Sequence, residues 1–146
     1  MRILLLDDGV DGTEKLLEWF SECGDIEMAS VIKTKELFLE KAVSERPDAV
    51  FIHAGRSRFP GFKTGEALRA ADGRVLIVFL SDEKKSALDA FETGADGFLL
   101  CPVEKEKVKK CVENLKKRAA LRTQADKVQK ARQIKYMVIT EREKMK

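Results

Sequence analysis

Residues 2–8 of the 146-residue chain read Arg-Ile-Leu-Leu-Leu-Asp-Asp, a short apolar run that stops at two carboxylates. An apolar run of this length without alternation predicts a strand that is buried on both faces of a sheet. Comparable runs occur at residues 49–52, 75–80 and 97–100, with a weaker one at residues 26–31. These five runs predict five strands.

Segments with helical spacing separate the predicted strands. They cover residues 13–23, a helix capped by Thr34 that ends before Pro47, residues 65–71, and residues 82–93 with Gly94 as the stop. Connections of helix length between successive strands favour parallel pairing and right-handed crossovers. The sequence therefore predicts an α/β fold, a doubly wound five-stranded parallel sheet covered by helices on both faces.

The chain after Val103 has a different character. It contains no strand signal, Gly or Pro, and it predicts one long helix to about Tyr136. Residues 103–146 carry a net charge of +9, with 15 Lys and Arg against 6 Asp and Glu, whereas residues 1–102 carry −6, with 13 against 19. The apolar heptad spacing fails after Ala119, so a homodimer through this C-terminal helix is allowed but not required. We expect a separate role for this basic segment.

Composition excludes several classes of protein. Hydrophobic residues make up 44% and charged residues 36% of the chain, which is typical of a globular domain. The apolar runs are too short to span a membrane, and the N-terminus lacks the pattern of a secretory signal, so we expect a cytoplasmic protein without a membrane partner. Three scattered cysteines do not form a disulfide framework or a zinc knuckle.

Chemically informative residues follow the predicted strands. Asp7 and Asp8 come after the first strand, His53 after the third, Phe79 in the fourth and Cys101 after the fifth. In an open parallel sheet, ligands bind beyond the carboxyl ends of the strands. We therefore expect these side chains to converge at one edge.

The chain resembles the receiver domain of two-component response regulators, the CheY-like family. The resemblance covers residues 1–116 and is carried by residues 2–8, 46–53, 61–62, 75–78 and 94–102, the last of which read Gly-Ala-Asp-Gly-Phe-Leu-Leu-Cys-Pro. The resemblance implies a flavodoxin-like sheet with strand order 2-1-3-4-5. It also implies transfer of a phosphoryl group from a histidine kinase to an aspartate beside Mg²⁺.

Position by position, the resemblance assigns roles that this sequence only partly fills. Asp7 and Asp8 match the acidic pair that holds Mg²⁺ in the family. His53 stands at the phosphoacceptor position in place of an aspartate, and Cys101 stands at the position of the family's lysine. Imidazole removes a hard oxygen ligand and a negative charge, so we expect Mg²⁺ binding at Asp7 and Asp8 to be weak and no other cofactor to be held.

Two further family positions fall on phenylalanines. Counting back from Cys101 places the hydroxyl position at Phe79, with Ser81 two residues further on as a substitute if the loop shifts. Phe98 takes the position of the switch aromatic, without a hydroxyl group. The hydroxyl group is absent at Phe79, and the nucleophile and cation are changed at His53 and Cys101. Together these changes predict a degenerate pseudo-receiver that is no enzyme and is not phosphorylated in the usual way. We expect it to act through protein–protein interaction in signal transduction.

Alternative interpretations remain for the same residues. His53 is interpreted as an ion pair with Asp8, as a phosphohistidine, as a pH sensor or as a metal ligand. Asp7 or Asp8 is an alternative acceptor in a phosphorylatable receiver of a DNA-binding response regulator. His53 and Cys101 alternatively form a metal or redox sensor, with the two aspartates completing a zinc set. Arg56 and Arg58 are expected to fill the phosphoryl site or to pair with the aspartates.

The expected working surface is the face of the fourth helix, fifth strand and fifth helix, around Lys84, Lys85, Phe98, Lys105 and Lys109, which carries partner contacts in the family. The expected partner is a protein, either a histidine kinase or an output domain. Residues 139–144 resemble the opening of a helix-turn-helix domain, so we expect residues 117–146 to be an extended basic helix or linker that leads to a truncated output domain. Nucleic-acid binding is then expected only through that missing domain.

Overall fold

The structure, a computed structural model, describes residues 1–7, 13–54 and 61–144, and at residue 28 and from residue 126 onward it describes the backbone alone. Strands and helices alternate along the described chain. In order they are β1 (Arg2–Leu6), α1 (Thr13–Glu22), β2 (Met28–Ile32), α2 (Lys35–Glu45), β3 (Ala49–His53), α3 (Gly61–Ala71), β4 (Leu76–Ser81), α4 (Ser86–Glu92), β5 (Gly97–Leu100) and α5 (Lys105–Lys144).

The five strands form one parallel sheet in the order β2-β1-β3-β4-β5. The predicted fold class, strand order and C-terminal helix are thereby confirmed. The central strands are buried because their residues are apolar without alternation. In β3 and β4, for example, every residue is buried. Each large side chain removed from water in this way contributes about 1.5–3 kcal/mol before the entropy of ordering the chain is counted.

Helices cover both faces of the sheet. On one face, Phe20 of α1 meets Phe51 of β3 edge to face, with ring centroids 5.0 Å apart. Three residues of α5 are also buried, namely Val108, Val112 and Leu115. On the other face, α2, α3 and α4 bury one residue cluster against the sheet, which includes Phe38, Ala42, Leu68, Val50, Ile52, Phe79 and Ala90.

Some element bounds differ from those predicted. Helix α4 begins at Ser86 instead of residue 82, because the Ser81 hydroxyl accepts a hydrogen bond from the Glu83 backbone N–H at 3.0 Å and turns the chain there. Helix α3 begins four residues earlier than predicted, at Gly61, and α5 continues beyond Tyr136 to Lys144. Strand β2 begins two residues later and ends one residue later than predicted.

The chain divides by contacts into two units, Met1–Lys116 and Lys117–Lys146. The first unit contains the sheet, α1 to α4 and the beginning of α5. The second continues the same helix to Lys144. None of the helices, over the residues that the structure describes, carries an apolar stretch sufficient to cross a bilayer.

Candidate functional site at the carboxyl edge of the sheet

Asp7 directly follows β1 at the carboxyl edge of the sheet. Its backbone N–H donates to the Ile32 carbonyl at 2.8 Å, which extends the pairing of β1 with β2 by one residue. The predicted partner in the acidic pair, Asp8, lies outside the described residues, as do Arg56 and Arg58. Of the expected acidic pair, the structure therefore places Asp7 alone.

His53 is the last residue of β3, and it is only 5% exposed. It lies opposite Leu80 in the register of β4, and the next residue, Ala54, donates its N–H to the Leu80 carbonyl at 2.8 Å. The start of α3 packs closely on this strand end, since a Cβ at Gly61 would collide with the carbonyl oxygen of His53 and with Ala54. The imidazole at the predicted phosphoacceptor position is thus held inside the protein.

The structure brings His53 and Cys101 together at one cavity of about 170 Å³. The cavity lies between the first turns of α1, the ends of β3 and β4, and the segment that precedes α5. Its lining consists of Thr13, Lys15, Leu16, Trp19, His53, Leu80, Cys101, Pro102 and Val103. The residue types are mainly apolar, which is the reverse of what a phosphoryl dianion requires.

Phe79 does not line this cavity. Its side chain is fully buried on the α3 face of the sheet, where it meets the Phe62 ring at a centroid distance of 4.8 Å. Gly65 of α3 gives this ring its space, since a Cβ there would lie 2.5 Å from the Phe79 Cζ atom. Phe79 therefore acts as a core residue.

Ser81 is the last residue of β4 and is 2% exposed. Since His53 pairs with Leu80 in the register, Ser81 lies one position further toward the carboxyl edge. Its hydroxyl oxygen accepts the Glu83 N–H. Of the two residues considered for the hydroxyl position, Ser81 is the one that reaches this edge, and the assignment of the family position to Phe79 stays a prediction.

Phe98, at the predicted switch position, lies opposite Phe79 in the register of β5 and β4. It is partly buried and packs against the core beneath α2, α3 and α4. The same residue lines a surface groove of about 440 Å³ between β5 and α5, together with Asp96, Gly97, Leu99, Leu100, Lys107, Lys110, Cys111 and Asn114. Phe98 thus has one side in the core and one at the groove.

Two of the residues predicted for the working surface of the fourth helix, fifth strand and fifth helix, Lys105 and Lys109, lie on another side of α5. Lys105 pairs with Glu22 of α1 at 2.8 Å and lowers the pKa of that carboxyl. Lys109 also acts on Glu22 and on the Cys23 thiol, so it too lies on the α1 side of α5. The lysines that α5 presents beside β5 are Lys107 and Lys110, because helical geometry separates them from the other pair by about 100–200° around the axis.

Among the residues that the structure describes, the donor atoms at this edge are too few for a magnesium site. Mg²⁺ requires hard oxygen ligands in near-octahedral geometry, whereas the described residues supply the Asp7 carboxylate and a buried imidazole nitrogen. In the part of the chain that the structure describes, no three His, Cys, Asp or Glu side chains lie close enough together to hold a metal ion. The zinc set proposed from sequence would depend on Asp8, outside that part.

Two of the three cysteines are poorly suited to redox chemistry, which needs a thiolate. Burial raises the pKa of the Cys111 thiol to about 12. Burial also raises the pKa of Cys23, although Lys109 opposes that effect. Both thiols are therefore protonated near neutral pH, and Cys101 is the cysteine that lies at the site.

Of the nine lining residues, sequence reasoning named only His53 and Cys101 as site residues, and it missed the rest, among them Thr13, Trp19 and Val103. Trp19 belongs to the apolar pattern of α1, and that pattern was the available signal. The pattern does not show which apolar side chain borders a cavity, because this depends on how α1 packs against the turn before α5.

Comparison of the sequence with known proteins finds similar response regulatory proteins. No protein-family model matches the chain. A response regulatory protein of Vibrio vulnificus is 30% identical over 117 residues, which are 80% of this chain and 48% of the relative. The sensory transduction protein LytT of Bacillus cereus is 26% identical over 117 residues, again 80% of this chain and 48% of the relative. The chain thus spans about half the length of the curated relatives it matches.

Among solved structures, a two-component response regulator from Clostridium difficile is similar with a TM-score of 0.69 and 25% identity, over 81% of this chain and 97% of that one. With the parallel sheet and its strand order, these similarities give the chain the fold of CheY-like receiver domains and a sequence similar to those of response regulators.

Proposed function

We propose that the chain is a pseudo-receiver, a signalling module of a two-component system that is not phosphorylated in the usual way and that acts through protein–protein contacts. The receiver fold and the names of the relatives support the signalling role. The observation that carries the loss of phosphorylation is His53, an imidazole that is buried at the end of β3 and borders an apolar cavity with Cys101.

The chemistry of this site supports the proposal in three ways. An acyl phosphate forms only on a carboxylate, and His53 has none. A thiol at Cys101 lacks the positive charge with which a lysine stabilises a phosphoryl group. The mainly apolar lining would have to accommodate a dianion with little compensating charge, since the Lys15 ammonium group is exposed to water, and this is unfavourable.

Treatment with acetyl phosphate and Mg²⁺, followed by intact mass measurement, tests this proposal. We expect the mass of the wild-type chain to remain unchanged. The double variant His53→Asp with Cys101→Lys should gain one phosphoryl group, because it supplies a nucleophile and a cation at the positions that the family resemblance assigns to them.

Two controls accompany this experiment. Asp7→Asn in the double variant should lower the phosphorylated fraction, and circular dichroism verifies that each variant is folded. A stable phosphorylated wild-type chain that is no longer formed in Asp7→Asn or Asp8→Asn would contradict the proposal and would favour a phosphorylatable receiver.

The proposed partner surface is the exposed side of α4, β5 and the first turns of α5. Leu88 and Phe91 of α4 are each 67% exposed, which is unusual for large apolar side chains. The neighbouring groove contains Lys107 and Lys110 beside the edge strand β5. An apolar patch with a cationic border suits a protein partner, which we propose to be a histidine kinase or an output domain.

The proposed role of the second unit, Lys117–Lys146, is that of a basic helical linker to an output domain. Its helical backbone to Lys144 and the half-length coverage of the relatives support this role. Leu121 is 66% exposed, which is compatible with a homodimer through this helix as part of the same proposal.

A further inference from the structure

The cavity beside His53 has a size and a lining that suit a ligand. We propose that it binds a small neutral ring compound that carries a single hydrogen-bonding group. This ligand site goes beyond the signalling role proposed above and does not depend on how phosphorylation is lost.

Volume limits the ligand to about one ring. The cavity measures about 170 Å³. Apolar protein cavities of about 150 Å³ accept benzene. A six-membered ring with one small substituent is therefore the largest compact ligand that fits without displacing side chains.

The lining favours an uncharged ligand. Leu16, Trp19 and Leu80 contribute apolar walls, and Pro102 and Val103 complete them from the segment before α5. A charged group among these walls would lose its hydration without a partner. Among the described lining residues, Lys15 carries a formal positive charge, and it is an exposed residue, so water continues to solvate its ammonium group.

One buried hydroxyl supplies the polar contact. The Oγ1 atom of Thr13 is buried and has no hydrogen-bond partner among the residues that the structure describes. Thr13 lines the cavity at the start of α1. Buried polar atoms are nearly always hydrogen-bonded in folded proteins, so this oxygen favours a ligand with a hydroxyl or similar group.

The position of the cavity connects a ligand to α5. Val103 lies two residues before Lys105, the first residue of that helix, and Leu80 lies on β4 beside His53. A bound ring would contact α1 on one side and the segment that begins α5 on the other. Ligand binding would thus act on the same part of the receiver fold that leads into the C-terminal helix.

The fluorescence of Trp19 gives a direct measurement of ligand binding, since Trp19 lines the cavity and is the single tryptophan of the chain. The probes are benzene, phenol and benzoate, with excitation at the long-wavelength edge of tryptophan absorption and calorimetry as the second method. We expect a saturable change in Trp19 fluorescence when benzene or phenol is added. Phenol should bind about fivefold more tightly than benzene, because it forms one additional hydrogen bond.

Three variants locate the binding. Val103→Phe fills the cavity and should abolish the response to both rings. Val43→Phe makes the same substitution at a half-exposed position of α2, away from the cavity, and should leave binding unchanged. Thr13→Val removes the hydroxyl at nearly constant volume. It should reduce phenol affinity about fivefold while benzene affinity stays the same, and retained benzene binding also shows that this variant is folded.

Three results would contradict this proposal. Absence of a saturable response to benzene and phenol up to their solubility would overturn the site. So would binding that persists in Val103→Phe, since the ligand would then lie elsewhere. Tighter binding of benzoate than of phenol would overturn the assignment of a neutral ligand and would point to Lys15.

Discussion

At the scale of single residues, Asp96 connects three parts of the first unit. Its side chain is 4% exposed, and its Oδ2 atom accepts hydrogen bonds from the Arg69 guanidinium at 3.0 Å and from the Ile77 N–H at 2.9 Å. Arg69 also donates to the Val75 carbonyl at 2.6 Å and to the Gly94 carbonyl at 3.3 Å. This cluster fastens the end of α3 to β4 and to the turn before β5.

We expect Asp96→Ala to lower the free energy of unfolding by about 3 kcal/mol, because it leaves the Arg69 guanidinium without its buried carboxylate. Urea unfolding followed by circular dichroism measures the change. Asp89→Ala, on the exposed face of α4, is the matched control and should change stability by less than about 0.5 kcal/mol. Equal effects of the two substitutions would show that the buried cluster contributes little.

Residue identities at the site were readable from sequence, but their surroundings were not. From the resemblance, the sequence predicts that His53 and Cys101 stand where the receiver family has an aspartate and a lysine. It does not show that the imidazole is buried or that Thr13 borders the same cavity. Those facts depend on α1 and on the start of α3, which approach the ends of the strands only in the folded chain.

At the scale of elements, α4 is short and exposes more apolar surface than its length leads one to expect. It buries Ser86 and Ala90 against the sheet and directs Leu88 and Phe91 outward. Small residues on the inner side allow close packing on the sheet. Large apolar residues on the outer side contribute little to stability, which favours a role in partner binding.

The double variant Leu88→Glu with Phe91→Glu tests that role. We expect its free energy of unfolding to stay within about 0.5 kcal/mol of the wild-type value, since both side chains are largely in water. Its affinity for a partner histidine kinase or output domain, measured by calorimetry, should fall about tenfold or more.

Leu37→Glu on α2 is the control for this variant, because Leu37 is 42% exposed on a different helix. It should leave partner affinity unchanged. Undiminished affinity in the α4 variant would assign partner binding to another face of the domain.

At the scale of the whole molecule, the first unit depends on only part of α5. Val108, Val112 and Leu115 are buried, and the unit ends one residue later, at Lys116. Two ion pairs lie along the same part of α5. Lys105 pairs with Glu22 of α1, and Lys116 pairs with Asp25 in the loop that follows α1. The early turns of α5 therefore belong to the domain.

A chain that ends after Lys116 should fold with a free energy of unfolding within about 1 kcal/mol of the full chain, because it keeps these three buried side chains. A chain that ends after Glu104 should not fold. It loses about 1.5–3 kcal/mol of burial for each of the three, which together approach the total stability of a small domain. Urea unfolding monitored by Trp19 fluorescence distinguishes the two chains, and a folded shorter chain would contradict this division.

The sequence by itself determined the α/β class, the succession of elements and the identity of the side chains at the strand ends. It did so because apolar runs and helical spacing are local sequence patterns, and central strands that are buried on both faces give clear apolar runs. Only the tertiary structure decided that Phe79 belongs to the core while Ser81 reaches the carboxyl edge. It also decided that Lys105 meets α1, and that a cavity lies between α1 and the turn before α5. These outcomes depend on the strand register and on the rotation of each helix about its axis, which packing between distant segments fixes.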